Sequence, residues 1–110
     1  MIIEVVGGAD EVPEVQVAEV DDLTRLSLAV GALTDEEIDA ALRAAGIGRL
    51  VDSDNGVLDV AALRAAAAPR ATAPDWAERF DAMVAAAAGN GWTADDGAGL
   101  AVHVQPAASA

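Results

Sequence analysis

Trp76 and Phe80 stand one helical turn apart and hold two of the three aromatic rings in the chain. A chain so poor in large side chains has few ways to build an interior, and this pair narrows them most. Met83, Val84 and Ala87 continue the same spacing, so residues 75–88 read as an amphipathic helix. This helix is expected to anchor the core. Thr72 or Asp75 opens it, Pro74 is tolerable in a first turn, and Gly89-Asn90-Gly91 ends it.

Composition explains why the anchor matters. Apolar residues make up 54% of the sequence, but 28 of its 110 residues are alanine, which buries little area. Leu, Ile, Val and Phe together number 27, above the roughly 20% below which a charged chain tends to stay disordered. The expectation is a folded chain: one compact domain over residues 1–105 and a loose tail over 106–110.

Shorter patterns supply the remaining elements. Residues 2–6 are β-branched and apolar apart from Glu4, and Val15 and Val17 alternate with Gln16 and Ala18. Both stretches read as strands, with a solvated turn between them at residues 9–14. Leu23, Leu26, Val30 and Leu33 recur at spacings of three, four and three, predicting a first helix over residues 23–33 capped by Asp21 or Asp22. Thr34 and Glu37 form a capping-box pair ahead of Ile38, Ala41, Leu42 and Ala45, with Gly46 as the stop. Leu50-Val51 and Val57-Leu58 flank Asp52-Ser53-Asp54-Asn55-Gly56, where Asn-Gly is a strong turn pair, so a short hairpin or turn is expected there. Asp59 caps a further helix that Pro69 ends. Leu100, Val102 and Val104 alternate with Ala101, His103 and Gln105 as a last half-buried strand. The predicted fold class is α+β: about four helices packed on a small antiparallel sheet made from the N-terminal strands and the C-terminal strand.

Charge limits the partners. Nineteen acidic residues face six arginines and no lysine, a net charge of −13. That charge opposes contact with phosphate backbones and anionic lipid, so neither nucleic acid nor membrane is expected as a partner. It suits a protein partner of basic character. Seven of the carboxylates, and no basic residue, fall within residues 4–22. No cysteine is present, so no thiolate chemistry or disulfide arises. The first eight residues carry Glu4 and no basic flank, unlike a secretory signal, and the alanine runs are short for a membrane span. A cytoplasmic setting is expected.

Motifs that could carry chemistry are sparse. Asp52-Ser53-Asp54-Asn55-Gly56, with Asp59 after it, resembles the calcium loop of the EF-hand family, which clusters oxygen ligands around a sharp glycine turn. Counted from Asp52, however, the glycine falls at the fifth position and the closing glutamate position holds Leu63, so calcium binding is not expected. The Asp52-Ser53 pair also resembles the acyl carrier protein signature, where a serine after aspartate carries a phosphopantetheine arm. Asp54, Asn55 and Gly56 then replace the leucine and helix that family continues with. His103 is the only histidine, and it lacks a triad partner or a second metal ligand in the pattern. The runs Asp35-Glu36-Glu37-Asp39 and Asp95-Asp96 have structural roles available, at a helix start and in a turn. No catalytic, cofactor-binding or metal-binding residue is therefore assigned.

One larger pattern spans residues 34–105. Helix, hairpin, helix, helix and a two-stranded wing is similar to the order of the winged-helix family. In that family the second helix of the pair enters the major groove and the wing touches phosphates. The matching helix here sets Arg79 against Asp75, Glu78 and Asp81, and the wing carries Asp95 and Asp96. Such a surface suits protein better than DNA. The sequence thus points to a non-catalytic interaction or accessory module, with a homodimer among its assemblies. The alternatives are an acidic mimic of nucleic acid and a small enzyme or carrier subunit built on His103 or the residue 52–54 turn.

Overall fold

The computed structural model describes residues 1–7, 13–23, 26–31 and 33–106. The fold is α+β. Seven strands form one mixed sheet: β1 (Ile2–Val6), β2 (Glu14–Ala18), β3 (Ser27–Val30), β4 (Gly48–Asp52), β5 (Asn55–Asp59), β6 (Thr93–Ala94) and β7 (Gly99–Pro106). Three helices accompany it: α1 (Asp35–Ala44), α2 (Val60–Ala67) and α3 (Trp76–Gly89). Two 3₁₀ turns, Ala68–Arg70 and Asp95–Gly97, complete the described elements.

The sheet runs β2-β1-β3-β7-β5-β4, with β6 on the side of β7 away from β5. It is not the small antiparallel sheet the sequence suggested. β1 and β3 are parallel, β3 and β7 are parallel, and the β4–β5 hairpin joins the same sheet through β7. The register sorts side chains onto two faces. Ile3, Val5, Val17, Leu28, Leu58, Leu100 and Val102 share one buried cluster with Ile38 and Leu42 of α1, Leu63 of α2, and Trp76 and Phe80 of α3. The opposite face shows Gln16, Asn55, Ala101, His103 and Gln105 to solvent.

The main correction concerns residues 23–33. Ser27–Val30 is a strand between β1 and β7, not part of a helix, so three α-helices stand among the described residues where about four were expected. The apolar run is short and fits both periods: Leu23, Leu26, Val30 and Leu33 suit a helix, while Leu26, Leu28 and Val30 suit a strand. Leu28 decides it, because it is fully buried although it lies off the helical stripe. Residues 24, 25 and 32 of the expected helix lie outside the described residues, as do Gly8, residues 9–12 of the expected turn and 107–110 of the expected tail. Pro106, assigned to that tail by sequence, belongs to β7 opposite Val30.

Asp21 does cap backbone, but not a helix following it. Its carboxylate accepts from Thr72 N and Oγ1 and from Ala73 N, at 2.5–3.1 Å, tying the segment after β2 to the α2–α3 connection. Thr72 is thus a ligand for Asp21 and not the start of α3.

The remaining elements follow their local chemistry. Thr34 and Glu37 form a reciprocal capping box at α1. Asp59 caps α2 by accepting from Ala62 N at 2.9 Å. The hairpin turn is Ser53-Asp54, two residues before the Asn55-Gly56 pair but within the expected stretch 52–56, because Asn55 already pairs with Asp52. Gly48 sits where β4 crosses β5 so closely that a side chain would collide with the Val57 carbonyl.

Both sheet edges carry a side-chain clamp on exposed backbone. On β4, Leu50 N–H donates to Asp39 Oδ1 of α1 at 2.9 Å. On β2, the Val17 carbonyl accepts from Arg70 at 2.8 Å.

α3 anchors the core as its stripe predicts. Phe80 is fully buried and stacks on Trp76 with ring centroids 5.0 Å apart. The Arg64 guanidinium lies 5.1 Å above the Phe80 ring and pairs with Asp81, coupling α2 to α3. Trp76 Nε1 donates to the Val20 carbonyl at 2.8 Å, so the buried indole also holds the segment after β2.

Phe80→Ala should cost about 3–5 kcal/mol, the lost burial plus the cavity left behind. Total stability for such a domain is only about 5–15 kcal/mol. Exposed Glu78, on the same helix, is the control: Glu78→Ala should change stability by less than about 0.5 kcal/mol. Thermal melts run beside light scattering check both. A Phe80→Ala protein that melts like the parent, as a monomer, would refute the anchoring role.

Candidate interaction face

The third aromatic, Trp92, is 59% exposed. Its position follows from how α3 ends. Asn90 is the C-cap, and Gly91 takes a positive φ of 75°, which turns the chain out of the helix. The Trp92 backbone is then held from both sides. Its N–H donates to the Ala87 carbonyl at 2.8 Å, and its carbonyl accepts from Ala101 N at 2.9 Å. The ring is therefore displayed on a fixed mount between α3 and β7.

A hollow opens on each side of the ring. One, of about 210 Å³, is lined by Leu23, Leu26, Met83, Ala86, Ala87, Leu100 and Ala101 beside Trp92. The other, of about 340 Å³, is lined by Leu26, Asn55, Ala101, Val102 and His103 beside Trp92. The second hollow lies beside one edge of β7: there β6 pairs with Gly99 and Leu100, Trp92 takes the Ala101 N–H, and β3 pairs with residues 104–106, leaving 102 and 103 between them. No carboxylate lines either hollow among the described residues. On a chain of net charge −13 this face stands apart.

The residues singled out by sequence fall as follows. His103 is exposed, opposite Asn55 in the ladder, within the larger hollow. Asp52, Ser53 and Asp54 do not line that hollow, so the two motifs are not brought into one pocket. Asp52 accepts from Asp54 N at 2.8 Å and from Asn55 Nδ2 at 3.1 Å, bonds that hold its carboxyl below the ordinary range. Ser53 Oγ donates to Asp35 at 2.7 Å. Asp52 serves the turn, and no group of three or more His, Asp or Glu among the described residues is arranged to hold a metal ion.

Two further carboxylates, Asp39 and Asp95, serve backbone and arginine. Asp39 accepts from Leu50 N and Arg43 Nε, and its carboxyl is lowered by those two bonds in that order. Asp95 and Asp96 both take positive φ, 53° and 58°, a backbone region that disfavours side chains other than glycine. A two-pronged bond from Arg49, at 2.8 and 3.3 Å, holds Asp95 there and lowers its pKa. A shallow concavity of about 410 Å³ beside this pair contains Arg43, Arg49, Asp59 and Asp95, with both arginines already paired to carboxylates.

Trp92 belongs to no periodic stripe, so periodicity does not single it out. Its available signal was that very isolation: a lone indole directly after Gly89-Asn90-Gly91. No family model, curated protein or solved structure matches the chain. Among the described residues no helix is long and apolar enough to cross a membrane.

Asp21, Asp39, Asp52 and Asp95 all have pKa values lowered by the bonds they accept. Their contribution is therefore complete above the unfolded carboxylate range of about 4, and is lost as pH falls through the lower native values. For Asp21 the largest cause is the Thr72 hydroxyl. Asp21→Asn should be less stable than the parent near neutrality, and the two should converge toward about pH 2. Denaturant titrations across that range test this; a gap between the two proteins that stays constant with pH would contradict it.

Proposed function

We propose that this chain is a non-catalytic protein-interaction module whose working surface is the Trp92 face. The observation that carries the reading is a large aromatic displayed on a fixed backbone mount, beside two largely apolar hollows with no carboxylate in their lining among the described residues. Soluble chains rarely leave such patches contiguous without a use. Interface centres are enriched in Trp and Met and depleted in charge, the composition found around Trp92 and Met83.

The winged-helix-like order of residues 34–105 is part of this reading. β7 lies between β5 and β6, all antiparallel, after α1, α2 and α3. β7 also pairs in parallel with β3, so β6 and β7 are built into the larger sheet and do not project as a free wing. Asp95 and Asp96 at the β6–β7 turn favour protein over nucleic acid as the partner.

A second reading has its own observation. The Ser53–Asp35 bond brings the hairpin tip, with Asp52 and Asp54, beside the first turn of α1, with Asp35, Glu36 and Glu37. That acidic end favours a basic partner, as a nucleic-acid mimic would.

Affinity capture from native lysate, with the parent and two variants as bait, separates the readings. A partner that the parent holds should be lost at least about tenfold with Trp92→Ala, the usual cost of truncating a central aromatic. Retention by Trp92→Ala, with loss in the paired Asp52→Asn and Asp54→Asn variant, would move the function to the acidic end.

A further inference from the structure

Resting on that reading of the Trp92 face, we infer that residues 92–98 form a strained strap held shut by the Arg49–Asp95 pair. Releasing the pair lets β6 leave β7 and removes the β7 side of the Trp92 mount. The strap has little else to hold it. No residue from 92 to 98 is buried, and none belongs to the core cluster. Its ladder to β7 is two residues long, Thr93 against Leu100 and Ala94 against Gly99, extended by the Trp92 carbonyl that accepts from Ala101 N. Segments with so few buried contacts open well before the whole fold does. Both ends of the strap are fixed. The Trp92 N–H donates to the Ala87 carbonyl, and the Ala98 carbonyl accepts from Val60 N at the start of α2, each at 2.8 Å. Opening is therefore confined to the stretch between them.

The turn of the strap stores strain that favours opening. Asp95, Asp96 and Gly97 take φ values of 53°, 58° and 92° in succession. Glycine occupies that region freely, aspartate at some cost, and most other residues at a cost of about five- to thirty-fold in population. Sites with such backbone are commonly those that switch. Arg49 opposes the strain. It belongs to β4, two strands from β7, and its guanidinium closes on Asp95 with bonds of 2.8 and 3.3 Å. Forked geometry puts the pair at the upper end for exposed ion pairs, about fivefold in population.

Latch and strain are thus of similar size, which leaves the strap closed but poised. The Arg49 and Asp95 side chains are 38% and 51% exposed. Salt reaches the pair and screens it, so ionic strength is the lever that loosens the strap.

Amide hydrogen exchange, read by NMR on the full chain, tests the inference. The reporter is the Ala101 N–H, bonded to Trp92; the reference is the Gly31 N–H, which donates to the Val5 carbonyl at 2.9 Å. Arg49→Gln should speed Ala101 exchange about fivefold and leave Gly31 unchanged. Asp95→Ala should speed it at least as much. Asp95→Gly loses the same pair but relieves the strain, so it should exchange about five- to thirty-fold more slowly than Asp95→Ala. Raising salt from about 0.05 to 0.5 M should speed Ala101 exchange in the parent and not in Arg49→Gln. Four results each overturn the inference: Ala101 exchange unmoved by Arg49→Gln, equal acceleration at Gly31, equal exchange in Asp95→Ala and Asp95→Gly, or the same salt response in parent and Arg49→Gln. Exchange reads the strap alone, whereas capture with Trp92→Ala reads the surface, so either proposal can fail without the other.

Discussion

The bond from the buried Trp76 indole to the Val20 carbonyl, with Phe80 stacked behind it, is the contact on which the rest of the structure depends. Few other side chains can span the space between a helix layer and a sheet in a chain where alanine is so frequent. α2 offers Leu63 and Ala67 to the interior, and α1 offers Ile38 and Leu42. The two rings of α3 fill the volume that those smaller residues leave. Because the indole also satisfies the Val20 carbonyl, one side chain supplies buried area and closes an otherwise unpaired polar group. The segment that leads from β2 toward β3 is thereby fixed to the helix layer.

Carboxylates do much of the local shaping. Glu37, Asp59, Asp39, Asp52 and Asp21 each accept a backbone N–H, at helix starts, an edge strand, a hairpin turn and the α2–α3 connection. A high acidic content is thus partly structural: short oxygen-bearing side chains substitute for backbone partners where the chain turns. Asp95 does the same work with an arginine, holding a stretch of left-handed backbone between β6 and β7.

Where local chemistry dictates structure, the sequence was legible. The Thr34–Glu37 box, the Asp59 cap and the Trp76–Phe80 stripe all lie where their spacing placed them. Legibility failed where long-range pairing decides. Residues 27–30 become a strand because β1 and β7 stand on either side, a circumstance no local window contains. The parallel pairings were hidden for the same reason, since they join segments far apart in the chain. The hairpin falls within the expected stretch 52–56, but its turn lies two residues before the Asn-Gly dipeptide, because the Asp52–Asn55 pair closes the ladder first. At the candidate face, Trp92 was invisible to periodicity. Its display depends on the bonds from Ala87 and Ala101, which bring α3 and β7 together around it.

The clamps on β4 and β2 have a consequence for assembly. An open sheet edge is a template on which further strands can grow, and growth of that kind has no natural end. Here Asp39 occupies the Leu50 amide on one border, and Arg70 occupies the Val17 carbonyl on the other. Pro13, directly before β2, offers no amide at all. Lateral accretion, the route to fibres, is thereby obstructed at both margins of the sheet. What stays open to association is contact between surfaces, which saturates once the two are matched.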